Sequence, residues 1–452
     1  MPGTKGVLEE IANRAVRLAV ERGADGAECT VYEGEEFETT VRMGETEVVK
    51  ESGSRGAGLR VLFGKRSGSS YSSDLTEDGV RALVGQAVDI ASITTDDPHA
   101  GLPEPEELGS LEGDLQLYHE DIRLLAAAEK IDLARRAEKA ALDADPRITN
   151  SEGGNFNSNA GEHAFASSGG FSAAYRTSTC SLSAVPVAKN GDRMERDFWY
   201  SVARKAGGLE APELIGRKAA ERALRRLGAR KVPTQRVAVV FEPRAARSLV
   251  GHVFEAVHGE AVYRKASIYA GRLGEQVASE SFTVIDDGTL PGLFGSSPFD
   301  DEGVPTRRTT VIDKGVLGSY LLNTYTARKL GLKTTGNASR GITGNAGVGH
   351  GNLFLPAGVS SVDEILRQVG TGLYVTELIG FGVNIVTGDY SRGAAGLWIE
   401  NGELAFPVSE VTIAGNLKDM FRNVVAVGND LEFRGSVAAP TIAVEGLTVS
   451  GQ

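Results

Sequence analysis

From residue 236 to the end of the chain, short runs of alternating polar and apolar residues are cut at close intervals by glycine. A helical face needs roughly ten or more uninterrupted residues, so this rhythm leaves short strands and tight turns as the main building material. Such strands must close on themselves or stack, which predicts a mainly β domain, a barrel or a sandwich, over 231–452. An apolar strand at 236–241 and a helix at 245–257 lead into it. Two more helices are expected within it, at 323–330 and 361–368. The second opens on Ser360 or Ser361 as cap, with Asp363 and Glu364 in its first turn.

The preceding half has a different pattern. Leu8, Ile11, Ala12, Ala15, Leu18 and Ala19 recur at helical spacing and Gly23 follows as a stop. Alternating stretches at 28–32, 36–43, 45–50 and 56–63 are then broken by Gly34, Gly44, Gly53 and Gly64, the punctuation of an antiparallel meander. A helix at 77–92 completes an α/β region over 1–113. Residues 94–113 carry Asp96, Asp97, Pro98, Pro103 and Pro105 and read as a linker. One helix at 121–142, short alternating strands from 148 to 187 and a helix at 212–227 make a central α/β region, 114–230, expected to pack with the first. The predicted class is α+β: an N-terminal α/β domain with helices packed on an antiparallel sheet, plus a mainly β C-terminal domain.

Charge and cysteine content exclude several functions. A net charge of -12 opposes a nucleic-acid surface, which needs clustered Lys and Arg to release counterions. Arg222, Arg225, Arg226, Arg230 and Lys231 form one basic run, read as cations complementing a helix C-terminus. No stretch approaches the ~18 consecutive apolar residues of a membrane helix. The N-terminal segment is charged and amphipathic and lacks the pattern of an export signal, so export is not expected. Only Cys29 and Cys180 are present, too few for a disulfide framework or a cysteine zinc site, and a reducing cytoplasm is expected.

The most suggestive chemical stretch is residues 251–259, where His252 and His258 bracket Glu255 on a predicted helix. A zincin helix needs two His four apart; six apart places them about 240° around the helix axis. Glu255 and His258, three apart, are expected to share a face, but no second Glu-x-x-His exists to build a di-metal site with them. A polar helix face lining a cleft or interface is the simpler reading. Asp286-Asp287 and Asp300-Asp301-Glu302 could hold a hard cation, yet Asp before Gly is also ordinary turn chemistry. The glycine-dense stretches at 53–68 and 344–351 lack phosphate-loop spacing, and there is no Gly-x-Ser-x-Gly elbow.

Several longer stretches resemble the TldD/PmbA family, once called modulators of DNA gyrase. They are Gly-Glu-Ala-Val-Tyr-Arg-Lys-Ala-Ser at 259–267, Ser-Pro-Phe-Asp-Asp-Glu-Gly at 297–303, Tyr-Thr-Ala-Arg-Lys-Leu-Gly at 325–331 and Gly-Asp-Tyr-Ser-Arg-Gly-Ala-Ala-Gly at 388–396. The run at 407–420, Val-Gly-Asn-Asp at 427–430, and the segments at 23–28 and 54–61 extend the likeness over essentially the whole chain. The resemblance implies an α/β N-terminal part and a mainly β C-terminal domain.

In this family the TldD-type subunit carries His-Glu-x-x-x-His and a later Cys, which the resemblance implies hold a catalytic metal in a peptidase acting on unfolded or leader peptides. Here Phe254 and Gly259 stand at the two His positions, Glu255 alone is retained, and no Cys follows Cys180. The 388–393 and 414–420 stretches are similar to the PmbA, or TldE-type, branch. That branch implies a heterodimer with a TldD-like metallopeptidase subunit, an unstructured peptide as substrate, and zinc or a similar divalent metal on the partner, with none bound by this chain. Glu255 is then the one weak catalytic candidate, and His252, His258, Tyr263, Arg264 and Lys265 are candidate walls of the substrate chamber. Two other readings stay open. One is a self-sufficient homodimeric metal-dependent hydrolase using His252, His258, Asp300 and Asp301 across subunits; the other is a non-enzymatic protein-binding adaptor.

Overall fold

Two long antiparallel hairpins form the frame of the N-terminal half. In the computed structural model, which describes residues 6–451, β1 (Gly26–Arg42) and β2 (Glu45–Phe63) pair along their whole lengths. β3 (Arg66–Ser72) follows, then β4 (Ile148–Ser167), β5 (Ser172–Asn190), β6 (Arg193–Arg196) and β7 (Trp199–Ala203). They form one seven-stranded sheet in the order β3-β2-β1-β4-β5-β6, with β7 also paired to β5.

These strands are longer than the sequence pattern suggests. Gly34 and Gly53 lie inside β1 and β2, so 26–42 and 45–63 are single strands rather than four pieces. The meander's turns come at Gly44 and Gly64, whose φ values are 82° and 59°. Gly34 has a packing role instead. The Tyr32 ring lies across it and across Gly161 of β4: a Cβ at Gly34 would sit 2.1 Å from the Tyr32 hydroxyl, and one at Gly161 2.7 Å from Tyr32 Cε2. The short strands expected at 148–187 are likewise two strands of 20 and 19 residues.

Helices cover one face of the sheet. α1 (Val7–Glu21) and α2 (Glu77–Ile93) bury Ala12, Ala15, Leu83 and Val84 against Cys29, Val31, Leu59 and Val61. α3 (Asp121–Leu124), α4 (Ala127–Leu142) and α5 (Pro212–Leu224) flank the rest, with Ala137, Ala141, Ile215 and Ala219 against Phe156, Cys180 and Leu182. The single helix expected at 121–142 is broken because Leu125 and Ala126 are extended. The Glu129 side chain then accepts the Ala126 N–H at 2.8 Å, satisfying a donor at the new start. α5 stops at Leu224, three residues short of the expected end.

The stretch 94–113 has linker composition but is pinned to the C-terminal half. Gly109 and Leu111 donate backbone bonds to Gly303 and Pro298, and the Tyr325 hydroxyl donates to Asp97 at 2.8 Å.

Beyond it, β8 (Gln235–Phe241) leads into α6 (Pro243–Val257) and α7 (Gly259–Tyr263). Short elements follow: β9 (Val284–Asp287), β10 (Arg308–Asp313), β11 (Val316–Leu317), α8 (Thr324–Leu330), β12 (Ala338–Ser339), β13 (Gly347–Val348) and β14 (Asn352–Phe354). α9 (Val362–Val369) precedes three longer strands, β15 (Gly372–Ile379), β16 (Asp389–Glu400) and β17 (Glu403–Asn416). The chain ends with α10 (Leu417–Arg422), β18 (Val424–Val427), β19 (Val437–Ala438) and β20 (Ile442–Ser450).

β17, β16, β15, β8 and β20 pair in that order, and β20 pairs back onto β17 through residues 412–414 and 448–450. That last pairing closes a five-stranded barrel and removes its free edges. The side-by-side sheet β11-β10-β9-β14-β19 extends the domain. α6 buries Leu249, Val250, Val253, Ala256 and Val257, spaced three and four apart, in one core with Val239, Phe241, Val375, Ile413 and Val449 of the barrel. The caps follow local chemistry: Ser361 rather than Ser360 caps α9, and Asn323 caps α8 by accepting the Thr326 N–H at 2.8 Å.

Candidate functional site

α6 delivers the suggestive stretch, and its C-terminus decides what that stretch can do. Val257 is the last helical residue. His258 turns out of the helix with ψ 121° and caps α7, its Nδ1 accepting the Glu260 N–H at 3.3 Å. Glu255 and His258 therefore do not share a helical face. His252 is the partner of Glu255 instead, with Nδ1 and Oε2 3.3 Å apart. The His252 side chain is only 12% exposed and its ring stands edge-on to Tyr390, whereas the Glu255 side chain is 53% exposed.

Phe254 takes the space between two imidazoles. Its ring lies 5.4 Å from that of His258 and 4.8 Å from that of His350, both edge-to-face. Burial pulls the His258 pKa down, against the charge of Glu260. Gly259 is closely packed as well: a Cβ there would come within 2.5 Å of Thr326 Oγ1 and 2.8 Å of Leu322 Cδ2. Phe254 and Gly259 carry no imidazole, and a side chain at 259 would have to displace Thr326 or Leu322. Among the described residues, no group of three or more His, Cys, Asp or Glu is placed to hold a metal ion.

The other wall candidates separate. Tyr263 is half-buried beside Tyr325, accepts the Arg264 Nε–H at 3.1 Å and lies below the Lys329 ammonium. Arg264 is exposed and pairs with Glu260 at 2.5 Å. Lys265 is exposed in a left-handed conformation, φ 55°, at the turn that ends α7. The structure groups Tyr263 and Arg264 on one side of α7 and His252 with Glu255 on α6, while His258 faces Phe254.

A small polar cavity of about 150 Å³ opens beside His350, lined by Tyr175, Ser297, Asp300, Asp301, Asn337 and Ser339. Of the acidic clusters, Asp300 and Asp301 line it and Asp286 bonds to its wall residue Asn337; Asp286, Asp287, Asp300 and Glu302 are buried. Turn chemistry does operate: Asp300 Oδ1 accepts the N–H groups of Glu302 and Val304 at 2.9 and 3.0 Å, Oδ2 accepts that of Ala338 at 2.9 Å, and Gly303 has φ 80°. Burial nevertheless pushes the Asp300 pKa well up, helped by the charge of Glu302. It also lifts Asp286 to about 6, against the bond that Asn337 Nδ2 donates to its Oδ2 at 2.7 Å.

Arg60 and Arg340, which the sequence reading passed over, tie this cavity to the N-terminal sheet. Glu28 of β1 is fully buried and receives Arg60 of β2 at 2.9 Å and Arg340 at 2.8 Å; Arg340 also donates to Thr30 Oγ1 at 2.8 Å. Glu302 lies 3.7 Å from Arg60 and accepts the Thr324 N–H at 2.9 Å, at the start of α8. A visible signal existed in Arg60, a lone charge within the apolar run Gly-Leu-Arg-Val-Leu-Phe. Alongside, the rings of Tyr32, His163 and Tyr175 form a row across β1, β4 and β5 that ends on Phe299. Burial lowers the His163 pKa to about 4, so that ring is neutral.

A helix-clad antiparallel sheet docked on a closed barrel, with the interdomain seam beside α6, makes up an α+β fold. Three family models match: PmbA/TldA metallopeptidase domain 1 over residues 27–91, its central domain over 120–227 and its C-terminal domain over 234–451. The chain is 42% identical to the metalloprotease PmbA of Escherichia coli O157:H7, covering 99% of this chain and 96% of that protein. It is 37% identical to a metalloprotease PmbA homolog of Haemophilus influenzae, over 98% and 96% of the two chains. A solved Bacteroides thetaiotaomicron structure, described as a modulator of DNA gyrase, superposes with a TM-score of 0.91 at 28% identity, over 98% of this chain and 99% of that one. TldE from Thermococcus kodakarensis shares the fold, with a TM-score of 0.87 at 22% identity, over 98% of this chain and 100% of that one. The chain belongs to the PmbA/TldD metallopeptidase family.

Proposed function

We propose that this chain is the PmbA/TldE-type subunit of a heterodimeric, cytoplasmic metallopeptidase that cleaves unstructured or leader peptides on the metal of a TldD-like partner. The observation that carries this reading is the packing at 254 and 259. Phe254 fills the gap between His258 and His350, and Gly259 is packed closely enough that a side chain there would have to displace Thr326 or Leu322. The residues present do not fit a metal at the family's ligand positions, so no step of peptide cleavage is assigned to this chain. Its contribution is to bound the chamber and hold an extended peptide, with His252, His258, Tyr263, Arg264 and Lys265 as candidate walls and Glu255 as the weak catalytic candidate. The regions 1–113, 114–230 and 231–452 are proposed as its sequence units. No helix among the described residues is long and apolar enough to cross a membrane.

The self-sufficient homodimeric hydrolase gains no support from the acidic clusters, because both oxygens of Asp300 are occupied by backbone N–H groups. The test is to purify the chain alone and with a co-expressed TldD-like subunit. Bound metal is measured by elemental analysis and cleavage of an unstructured peptide with and without chelator. Metal and chelator-sensitive cleavage only in the co-purified pair support the proposal. Stoichiometric metal and cleavage by this chain alone refute it.

A further inference from the structure

The N-terminal sheet leaves one long edge open. β3 pairs with β2 only from Ala57 to Phe63, so residues 45–56 of β2 have β1 on one side and, among the described residues, no strand on the other. That stretch alone is about twice the usual strand length of about 5–6 residues. All of 45–55 is exposed except the half-buried Ser52. Successive residues of an antiparallel strand turn their backbone groups to opposite sides. The Val48 carbonyl accepts the Thr39 hydroxyl at 2.9 Å and the Leu62 carbonyl accepts the Asp25 N–H at 2.8 Å, so the even-numbered residues of this stretch face β1. The one register shift between β1 and β2 lies at Thr40 and Val41, nearer the turn. The N–H and C=O groups of Val49, Glu51, Gly53 and Arg55 therefore point to the empty side.

Native sheets block such edges with short strands, charges, bulges or a covering element. Charges along this one, such as Glu47, Lys50 and Glu51, oppose an apolar neighbour but leave the backbone groups free. The sheet face beside the edge is polar as well. Phe37 is buried on the helix-covered face, so Glu36 and Glu38 project from the opposite one. They stand across from Ser52 and Lys50 of β2 on one side and from Asn159 and Asn157 of β4 on the other. These six residues line a cavity of about 240 Å³. Asn159 Nδ2 donates to Glu36 at 3.4 Å. Lys50 is the one cation on the cavity wall against two carboxylates, which leaves a net negative charge.

We propose that the free edge of β2 between Val48 and Arg55 binds an extended peptide rich in lysine or arginine by antiparallel strand addition. An extended backbone is the ligand whose N–H and C=O groups match those of an open edge, and side-chain pockets beside the edge then set its specificity. The added strand lies two strand spacings, about 10 Å, from β1, close enough for a long basic side chain and a glutamate to meet over β2. Glu36 and Glu38 are the carboxylates it meets. A second copy of this chain fits the edge less well, because it brings seven more glutamates against three basic residues over 33–55. The inference rests on the peptidase-subunit reading and deepens it: it names the charge class of the peptide and the strand of this subunit that holds it.

The experiment titrates the full-length chain, without a partner subunit, into a fluorescein-labelled lysine–threonine repeat peptide and follows anisotropy. Saturable binding is expected. In antiparallel addition the lysines lie on the face of Glu36 and Glu38 and turn their own N–H groups away from β2. Methylating the threonine nitrogens should therefore weaken binding about tenfold, and methylating the lysine nitrogens should leave it unchanged. A glutamate–threonine repeat should bind about tenfold more weakly, and Glu38→Lys should weaken binding of the lysine peptide. Val49→Pro removes an outward N–H at an edge position that tolerates proline, and should weaken binding too. If Val49→Pro fails to fold, the two methylated peptides decide. Absence of saturable binding, or equal affinity of the two methylated peptides, overturns the site. So does a dimer of the parent chain that Val49→Pro dissociates, which assigns the edge to a second copy. Because binding is measured without cleavage, its failure leaves the peptidase-subunit reading standing, and metal and cleavage in the co-purified pair judge that reading separately.

Discussion

Replacing Arg340 with Met should loosen the seam between the two halves of the protein. The Arg340 side chain is 2% exposed and gives one charged hydrogen bond to Glu28 and one to Thr30, both at 2.8 Å. Removing one partner of a buried ion pair typically costs about 3–5 kcal/mol, because the remaining charge stays desolvated. Glu28 keeps Arg60 at 2.9 Å, which places the expected loss at the lower end, about 3 kcal/mol. Glu28→Gln alone leaves two guanidiniums facing a neutral amide, so the double variant should cost about 1–2 kcal/mol less than the sum of the singles. The chain has two tryptophans, Trp199 in β7 of the N-terminal sheet and Trp398 in β16 of the barrel. Urea unfolding of the two single-tryptophan variants reads each half separately. In the parent the transitions should coincide, and in Arg340→Met they should move apart. A loss below about 1 kcal/mol, additive effects in the double variant, or transitions that stay coincident would refute the assigned role of this ion pair.

Three further outcomes are expected. Burial lifts Asp286 from an ordinary value near 3.9 to about 6, so the folded chain holds that proton more tightly than the unfolded chain. Its stabilising share is complete below about pH 4 and is lost as pH rises through 6; Asp286→Asn should therefore gain on the order of 2–3 kcal/mol over the parent at pH 8 and almost nothing at pH 4, and parallel pH–stability curves would contradict this. Gly259→Ala should lower stability by roughly 1–3 kcal/mol, since its methyl group meets Thr326 Oγ1 at 2.5 Å, and an unchanged melting temperature would show that the neighbouring helix yields freely. Burial pushes the Cys29 and Cys180 thiols up to about 12, so both should resist iodoacetamide at pH 8 in the native protein and react once it is unfolded; prompt native labelling of either, seen by mass spectrometry, counts against that packing.

Local features were readable from residue order wherever the physics is local. The spacing of Leu249, Val250, Val253, Ala256 and Val257 announces the buried face of α6, and Ser361 with Glu364 announces the start of α9, because side chains three and four apart on a helix meet. The identities at 254 and 259 are likewise plain in the sequence. Glycine misled where its reason was tertiary: Gly34 looks like a break and is in fact the floor under the Tyr32 ring, a contact completed by Gly161 on another strand.

The sequence by itself determined the class of fold, the helical faces and caps, and the absence of His at 254 and 259. Only the tertiary structure decided that His258 leaves the helix and that the barrel closes through three residue pairs between β17 and β20. It also decided that Glu28 meets Arg340 across more than three hundred residues, and that Arg222 and Arg225 at the end of α5 converge with Arg244 and Arg247 of α6 on one cavity. Periodicity reports on neighbours along the chain. These contacts form between residues remote in sequence, and their partners are set by how the halves dock.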